Sequence, residues 1–286
     1  MTTIKYAALS FGFMVMTLLP AQLPPDTAAT AVTTVLLPEP CALTNNTFQN
    51  AEKLTYKIYY NWNFVWLAAG EVTFQVFDEG KQYHYQARGK TYDSYEWFFK
   101  VQDEYDSWVD KNTLLPVYSE RSVNEGDYHI FEKINFNQSS RKMTVFRSPK
   151  RGETEKKTEH DVKDCVHDVL SSLYHLRNID FSSRQSGAEH PFRIFMDQEE
   201  FPLTMRYLGK ESRKKVHGMG RYNTMKFQPQ VIAGNVFKED AKMTVWVSDD
   251  QNRIPVLIES PVSVGSVKMV LKEYKGLKYA FTAKEN

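Results

Sequence analysis

Short stretches in which apolar and polar residues alternate recur along most of the chain. Leu54-Thr55-Tyr56-Lys57-Ile58-Tyr59, Val72-Thr73-Phe74-Gln75-Val76 and Tyr128-His129-Ile130-Phe131 follow a period of two. Lys142–Phe146, Leu203–Tyr207 and Met243–Val247 do the same, and Val264–Leu271 closes the series. This spacing sends successive side chains to opposite faces and predicts strands with one side in a core. The links Asp78-Glu79-Gly80-Lys81, Asn124-Glu125-Gly126-Asp127 and Asp249-Asp250-Gln251-Asn252 are rich in residues that tolerate turn geometry, and they predict hairpins. Many short strands joined by polar links predict a mainly β fold, an antiparallel curved sheet or a barrel-like domain.

One segment departs from that period. Between Asp164 and Asn178 the residues Val166, Val169, Leu170, Leu173 and Leu176 fall at helical spacing, which predicts one inserted α-helix over about 164–178. Asp161 or Asp164 is placed to cap its start, and Asn178 to end it. The helix separates two runs of strands, roughly 50–160 and 190–281. The charged stretch Lys150–Glu159 reads as a solvated loop or hairpin tip. No linker-like composition divides the runs, so residues 41–286 are expected to form a single β-rich domain.

The first forty residues have a different character. Lys5 precedes an apolar run from Tyr6 to Leu19, which Pro20 breaks and the small residue Ala21 follows. That arrangement predicts a signal peptide over 1–21, the run being shorter than the roughly 20 apolar residues of a transmembrane helix. An uncleaved N-terminal anchor is the alternative. Residues 22–40 are mainly Ala, Thr and Pro, with Asp26 and Glu39 their charges, and read as a flexible segment. The expected location is therefore export to the periplasm, with the protein peripheral to the envelope at most and without an integral membrane span in the mature chain. In an oxidising compartment Cys41 and Cys165 are expected to pair as a disulfide, with two free buried thiols as the alternative.

Charge narrows the range of functions. Thirty-six Lys and Arg face 35 Asp and Glu, so the cationic surplus that phosphate binding needs is missing and a nucleic-acid partner is not expected. Aromatic residues make up 14% of the chain, and their densest cluster runs from Tyr56 through Tyr59, Tyr60, Trp62 and Phe64 to Trp66. Tyr56, Tyr60, Trp62 and Trp66 are candidates to line a cavity or groove for lipid or sugar, the competing role being core filling.

Arg177 falls in the apolar stripe of the helix. A cation there either clamps an anionic headgroup or forms a structural ion pair between helix and sheet. The opposite helical face carries His160, Asp164, His167, Ser171 and His175. Their offsets match metal-ligand spacing only loosely, so His160, Asp164 and His167 are weak metal candidates on a face expected to be solvated. Asp103, Asp106 and Asp110 offer carboxylates without any fixed separation. The chain lacks a Gly-x-Ser-x-Gly elbow, a His-Glu-x-x-His helix and both Gly-rich nucleotide loops. No catalytic residue and no cofactor are assigned.

Several blocks together carry a resemblance. They are Glu52–Trp62 leading into Ala68-Ala69-Gly70-Glu71-Val72, then Asp168–Tyr174 with Leu176-Arg177, and Tyr207-Leu208-Gly209-Lys210-Glu211. Val245–Asp250 with Arg253-Ile254-Pro255, and Gly265-Ser266-Val267, complete the set. From about Cys41 to Phe281 the chain resembles the exported bacterial domain-of-unknown-function 3108 family in the form common among Bacteroidota. It differs in having Glu52-Lys53 where Gly-Glu is expected. The resemblance implies a β-rich envelope protein with an inserted helix and carries over no catalytic residues. The function these readings favour is non-enzymatic binding or carriage of an amphiphilic envelope molecule, a lipid or glycolipid. The alternatives are an envelope scaffold or assembly factor acting on a protein partner and, third, an enzyme with an unrecognised site.

Overall fold

The computed structural model describes residues 41–62, 65–97, 99–230, 242–262 and 265–285. The expectations for residues 1–40 lie outside them. Eight strands come before the main helix: β1 (Lys53–Trp62), β2 (Val65–Glu79), β3 (Gln82–Thr91), β4 (Gln102–Asp110), β5 (Pro116–Glu125), β6 (Tyr128–Asn137), β7 (Lys142–Ser148) and β8 (Lys156–Asp161). A short helix α1 (Asp93–Glu96) bridges β3 and β4, and the main helix α2 spans Val169–Asn178. After it come β9 (Glu189–Met196), β10 (Glu199–Val216), β11 (Gly220–Pro229), β12 (Thr244–Ser248), β13 (Pro255–Pro261), β14 (Ser266–Lys275) and the two-residue β15 (Lys284–Glu285).

All are joined in one antiparallel sheet ordered β8-β7-β6-β5-β4-β3-β2-β1-β14-β13-β12-β11-β10-β9, with β15 on β11. The two runs of strands foreseen on either side of the helix therefore meet along one seam. There β1 pairs with β14 from Lys53↔Lys275 to Asn61↔Ser266. The expected alternation sets this pairing: Leu54, Tyr56, Ile58 and Tyr60 are buried on the inner face while Lys53 and Lys57 face out.

The sheet curves round without closing. Its edge strands β8 and β9 do not pair; the segment between β8 and α2 lies in the gap. His167 forms a parallel bridge with Ile194 of β9. On the other side, the Gln138 side chain donates to the Val166 carbonyl (2.8 Å) and accepts from its N–H (3.2 Å). A small core of Val162, Val166, Phe195, Ile134 and Met143 fills this junction.

The structure corrects where the expected helix begins. Its start is Val169 with Asp168 as the cap, instead of Asp161 or Asp164: the Asp168 carboxylate accepts from the N–H groups of Leu170 (2.8 Å) and Ser171 (2.9 Å). Residues 164–167 are engaged elsewhere, by the Cys165 disulfide and the His167 bridge, and are not helical. There is a second, four-residue helix, and part of the charged Lys150–Glu159 stretch is edge strand β8.

The N-terminal segment clasps α2 inside the sheet. Cys41 and Cys165 are joined by a disulfide, and the Asn178 side chain accepts from the Asn46 N–H (2.7 Å). Phe48 packs edge-on to Tyr174 of α2 and Tyr85 of β3. Arg177 holds Glu52 with both guanidinium nitrogens (2.6 and 2.9 Å) and donates to the Asn252 carbonyl (3.0 Å). Burial by itself would lower the Arg177 pKa, but the Glu52 carboxylate outweighs it and holds the guanidinium firmly charged.

Two outcomes follow for stability. Replacing both cysteines with serine should lower the urea-unfolding free energy by about 2–5 kcal/mol, since the disulfide closes a loop of 124 residues; an unchanged midpoint would contradict this. Glu52→Gln should cost about 3–5 kcal/mol by stranding a buried guanidinium, whereas the double variant Glu52→Leu/Arg177→Met should recover most of that loss. Equal losses in the single and double variants would show that the pair is not the anchor.

Candidate functional site

The side chains of α2 divide into three sets. Leu170 and Tyr174 enter the main core, where the Tyr174 ring stacks on Tyr85 at 4.0 Å. His167, Ser171 and His175 turn toward β9, with the rings of His167 and His175 4.3 Å apart and His190 of β9 6.0 Å beyond. Val169, Leu173 and Leu176, the residues that made the segment read as an amphipathic helix, face a cavity. The polar face expected in solvent is therefore the buried one: Ser171 is wholly inaccessible and both histidines nearly so, while Leu173 is 38% exposed. The inversion arises because the helix lies within the curve of the sheet. It packs against β3 and β4 on one side and β9 on another, and its remaining side fronts the hollow.

The cavity measures about 220 Å³. Across it from α2 stand Met205 of β10, Met225 and Phe227 of β11, Val245 of β12 and Met269 of β14, with Phe181, Phe192 and Met243 from β9 and the connecting segments. Nearly all these walls are apolar, and the methionines give them flexible, polarisable surfaces that adapt to irregular shapes. Leu173 and Gln230 line the cavity and are exposed, marking where it meets solvent. Its polar lining groups are few, Arg177 and Arg253 among them. Arg177 is engaged by Glu52, and Arg253 donates to the Ile179 carbonyl (2.8 Å) and the Asp180 carboxylate (3.0 Å).

Of the aromatic candidates, Tyr56 alone among those described lines the cavity. Its hydroxyl donates to the Pro255 carbonyl (2.9 Å), and burial pushes its pKa up. Tyr60 is in the core. Trp66 lies on the outside of the sheet with the Lys268 ammonium 4.4 Å over its ring, and the side chain of Trp62 is outside the described residues. Arg177 borders the cavity and is held by Glu52.

The metal candidates are dispersed. His160 projects from β8 and bonds Thr158 (2.9 Å), His167 is buried beside His175, and Asp164 lies next to Cys41 and Cys165. Among the described residues that last trio is the one group of ligand atoms that converges. Its sulfurs are spent in the disulfide, so it offers no thiolate. Asp106 is bound by Arg88 (2.7 Å) and His84 (2.8 Å). Asp103 is buried beside Glu125, and Asp110 caps a turn through the N–H groups of Asn112 and Thr113. The three do not share a site. The cavity methionines and phenylalanines stand in alternating stretches such as β11 and β14, but only strand pairing reveals that those faces bound a space.

The buried histidines make stability depend on pH. Burial holds His167 well below the ordinary histidine range and His175 at about 3. As pH falls below about 6.5 the unfolded chain takes up protons that the folded chain refuses, so stability is present above that pH and lost below it. Asp103, which burial pushes up to about 7, acts in the opposite sense. Comparing wild type with His175→Asn cancels that contribution. Between pH 6 and 4 the variant's unfolding free energy should fall less steeply, by up to about 1.4 kcal/mol per pH unit. Parallel curves would contradict a buried neutral His175.

No helix among the described residues is long and apolar enough to cross a membrane. No curated protein matches the chain. Among solved structures it is similar to the crystal structure of a beta-barrel-like protein of domain of unknown function DUF1849 from Brucella abortus. The TM-score is 0.57 and the identity 8%, covering 82% of this chain and all of that one, a likeness of fold alone. The family described as "Protein of unknown function (DUF3108)" matches residues 55–272, more than half the chain, and the chain belongs to that family.

Proposed function

We propose that the protein is an exported, periplasmic binding or carrier protein for an amphiphilic envelope molecule, a lipid or glycolipid, and that it acts without catalysis. The observation that carries this reading is the apolar side of α2, Val169, Leu173 and Leu176, turned toward an apolar cavity of about 220 Å³ that meets solvent. Packed interiors leave few voids larger than a water molecule, and exposed apolar walls gain free energy when an acyl chain covers them, at about 0.8 kcal/mol per buried CH2. Few polar groups are available inside, so the polar part of the ligand would remain at the mouth. The disulfide and the signal peptide expected over residues 1–21 support export. Among the described residues that line the cavity, opposed acid, base and nucleophile groups do not meet, which favours binding over chemistry.

The test is titration with a fluorescent long-chain amphiphile whose emission rises in an apolar site. Wild type should bind it saturably, with one molecule per chain. Met269→Trp or Met225→Trp, which fill the hollow, should weaken binding by at least about tenfold while the protein stays folded, overpacking costing about 1–3 kcal/mol. Absence of binding by wild type, or equal binding by the filled variants, would refute the proposal.

A further inference from the structure

Large apolar side chains that stand exposed are concentrated in two places among the described residues. Leu173 is the cavity wall already described; Val65, Trp66, Leu67 and Trp97 are the others. These four share one rim of the sheet. Val65, Trp66 and Leu67 begin β2 at the tip of its hairpin with β1, where Trp62 pairs with Val65 and Asn61 with Trp66. Trp97 directly follows α1, which is tied to the same strand end by the Tyr92 N–H donating to the Ala69 carbonyl (2.9 Å). It is 83% exposed.

The neighbouring hairpin, β13 to β14, ends on this rim too, as Pro261 pairs with Ser266 and Asn61 also pairs with Ser266. Its turn fits closely under β1: Gly265 has φ 84°, and a Cβ there would strike the Asn61 carbonyl. The cavity runs to the same rim, since Val262, Val267, Pro229, Gln230 and Met243 line it.

Charge on the outer face just below the tip is biased. Lys57 and Lys90 flank Glu71 across the strands, and Lys272 bonds the same carboxylate. Lys268 lies over Trp66 and pairs with Glu259 (2.9 Å). These four lysines face two carboxylates, and α1 adds Asp93 and Glu96, the latter paired with Lys100. Lys57 is four residues from Asn61, roughly 13 Å along the strand, a distance that places its ammonium at headgroup level when the tip is immersed. Exposed tryptophans with lysines behind them suit a bilayer interface, where indole rings take the boundary and ammonium groups meet lipid phosphates.

We propose that this rim docks on the surface of an anionic lipid bilayer, setting the cavity mouth against the membrane. The proposal deepens the carrier function and rests on that reading for its purpose. Its test is flotation of the full-length mature protein with vesicles of phosphatidylcholine alone and with added phosphatidylglycerol. Wild type should float with the anionic vesicles and less with the neutral ones, and its tryptophan emission should shift to the blue. Trp66→Ser/Trp97→Ser should lower vesicle partitioning by about tenfold or more, with unchanged thermal unfolding and unchanged amphiphile binding in the cavity. Wild type remaining with the unbound fraction, or the double variant floating as well as wild type, would overturn the docking proposal. So would a dimer in sedimentation that the double variant dissolves, which would assign the patch to a second copy of the chain. Flotation without amphiphile binding would leave docking intact and defeat the carrier reading alone, so the two failures are distinguishable.

Discussion

A cation inside an apolar interior must be met by a carboxylate or it will not be tolerated, and the Arg177–Glu52 pair satisfies this demand at the end of α2. Arg177 sits in the last turn of α2, and Glu52 ends the N-terminal segment one residue before β1. Their bond fixes the helix to the strand from which the sheet spreads in both directions. The same guanidinium reaches the Asn252 carbonyl in the turn between β12 and β13, so three distant parts of the chain converge on one planar group. The disulfide secures the other end of the clasp, beside the cap of the helix. Between these two fastenings α2 is held within the curve of the sheet, where a helix with this many polar residues would not settle by hydrophobic burial alone.

This anchoring explains why the hollow persists. A helix free to move would rotate its leucines into the nearest apolar surface and close the gap. Held by Arg177 at one end and by Asp168 and Cys165 at the other, it keeps Leu170 and Tyr174 in the core, His167 and His175 against β9, and Val169, Leu173 and Leu176 toward the cavity. Polar atoms near the helix start are served locally: Ser171 donates to the Asp168 carbonyl (3.2 Å), and Ser107 of β4 donates to the Asp168 carboxylate (2.6 Å). The walls opposite the helix are methionine and phenylalanine, side chains that reshape around a guest without a large cost in packing.

Much of the architecture is legible in the sequence because a strand buried on one face must alternate. β1, β2, β6, β7, β10, β12 and β14 each contain a stretch that shows it, and the links foreseen at Asp78, Asn124 and Asp249 fall between strands. Strands that break the rule were hidden for physical reasons. The inner face of β5 carries Ser119, Arg121 and Glu125, made tolerable by partners elsewhere: Arg121 is held by Glu132 (2.9 Å) and Asp197 (2.6 Å). β8 is an edge with no buried residue, so its composition is that of a loop. The helix shows the limit most clearly. Its period is local and readable, but which face is buried depends on β9, on Glu52 and on the shape of the hollow, all remote in sequence. For the same reason Tyr56, Tyr60 and Trp66, neighbours in one aromatic cluster, part into cavity wall, core and outer rim once bulges and pairing set their orientation.

The fold thus comes to one arrangement: a curved sheet, a helix pinned across its interior, and an apolar space between them that opens near an aromatic rim. Whether that space is occupied in its native setting is the central point. Native mass spectrometry of the protein isolated from its native host under mild conditions measures it directly. The expected result is a species heavier than the bare chain by the mass of one lipid or glycolipid, released on collisional activation and absent from Met269→Trp. A single species at the bare chain mass, in wild type and variant alike, would contradict it.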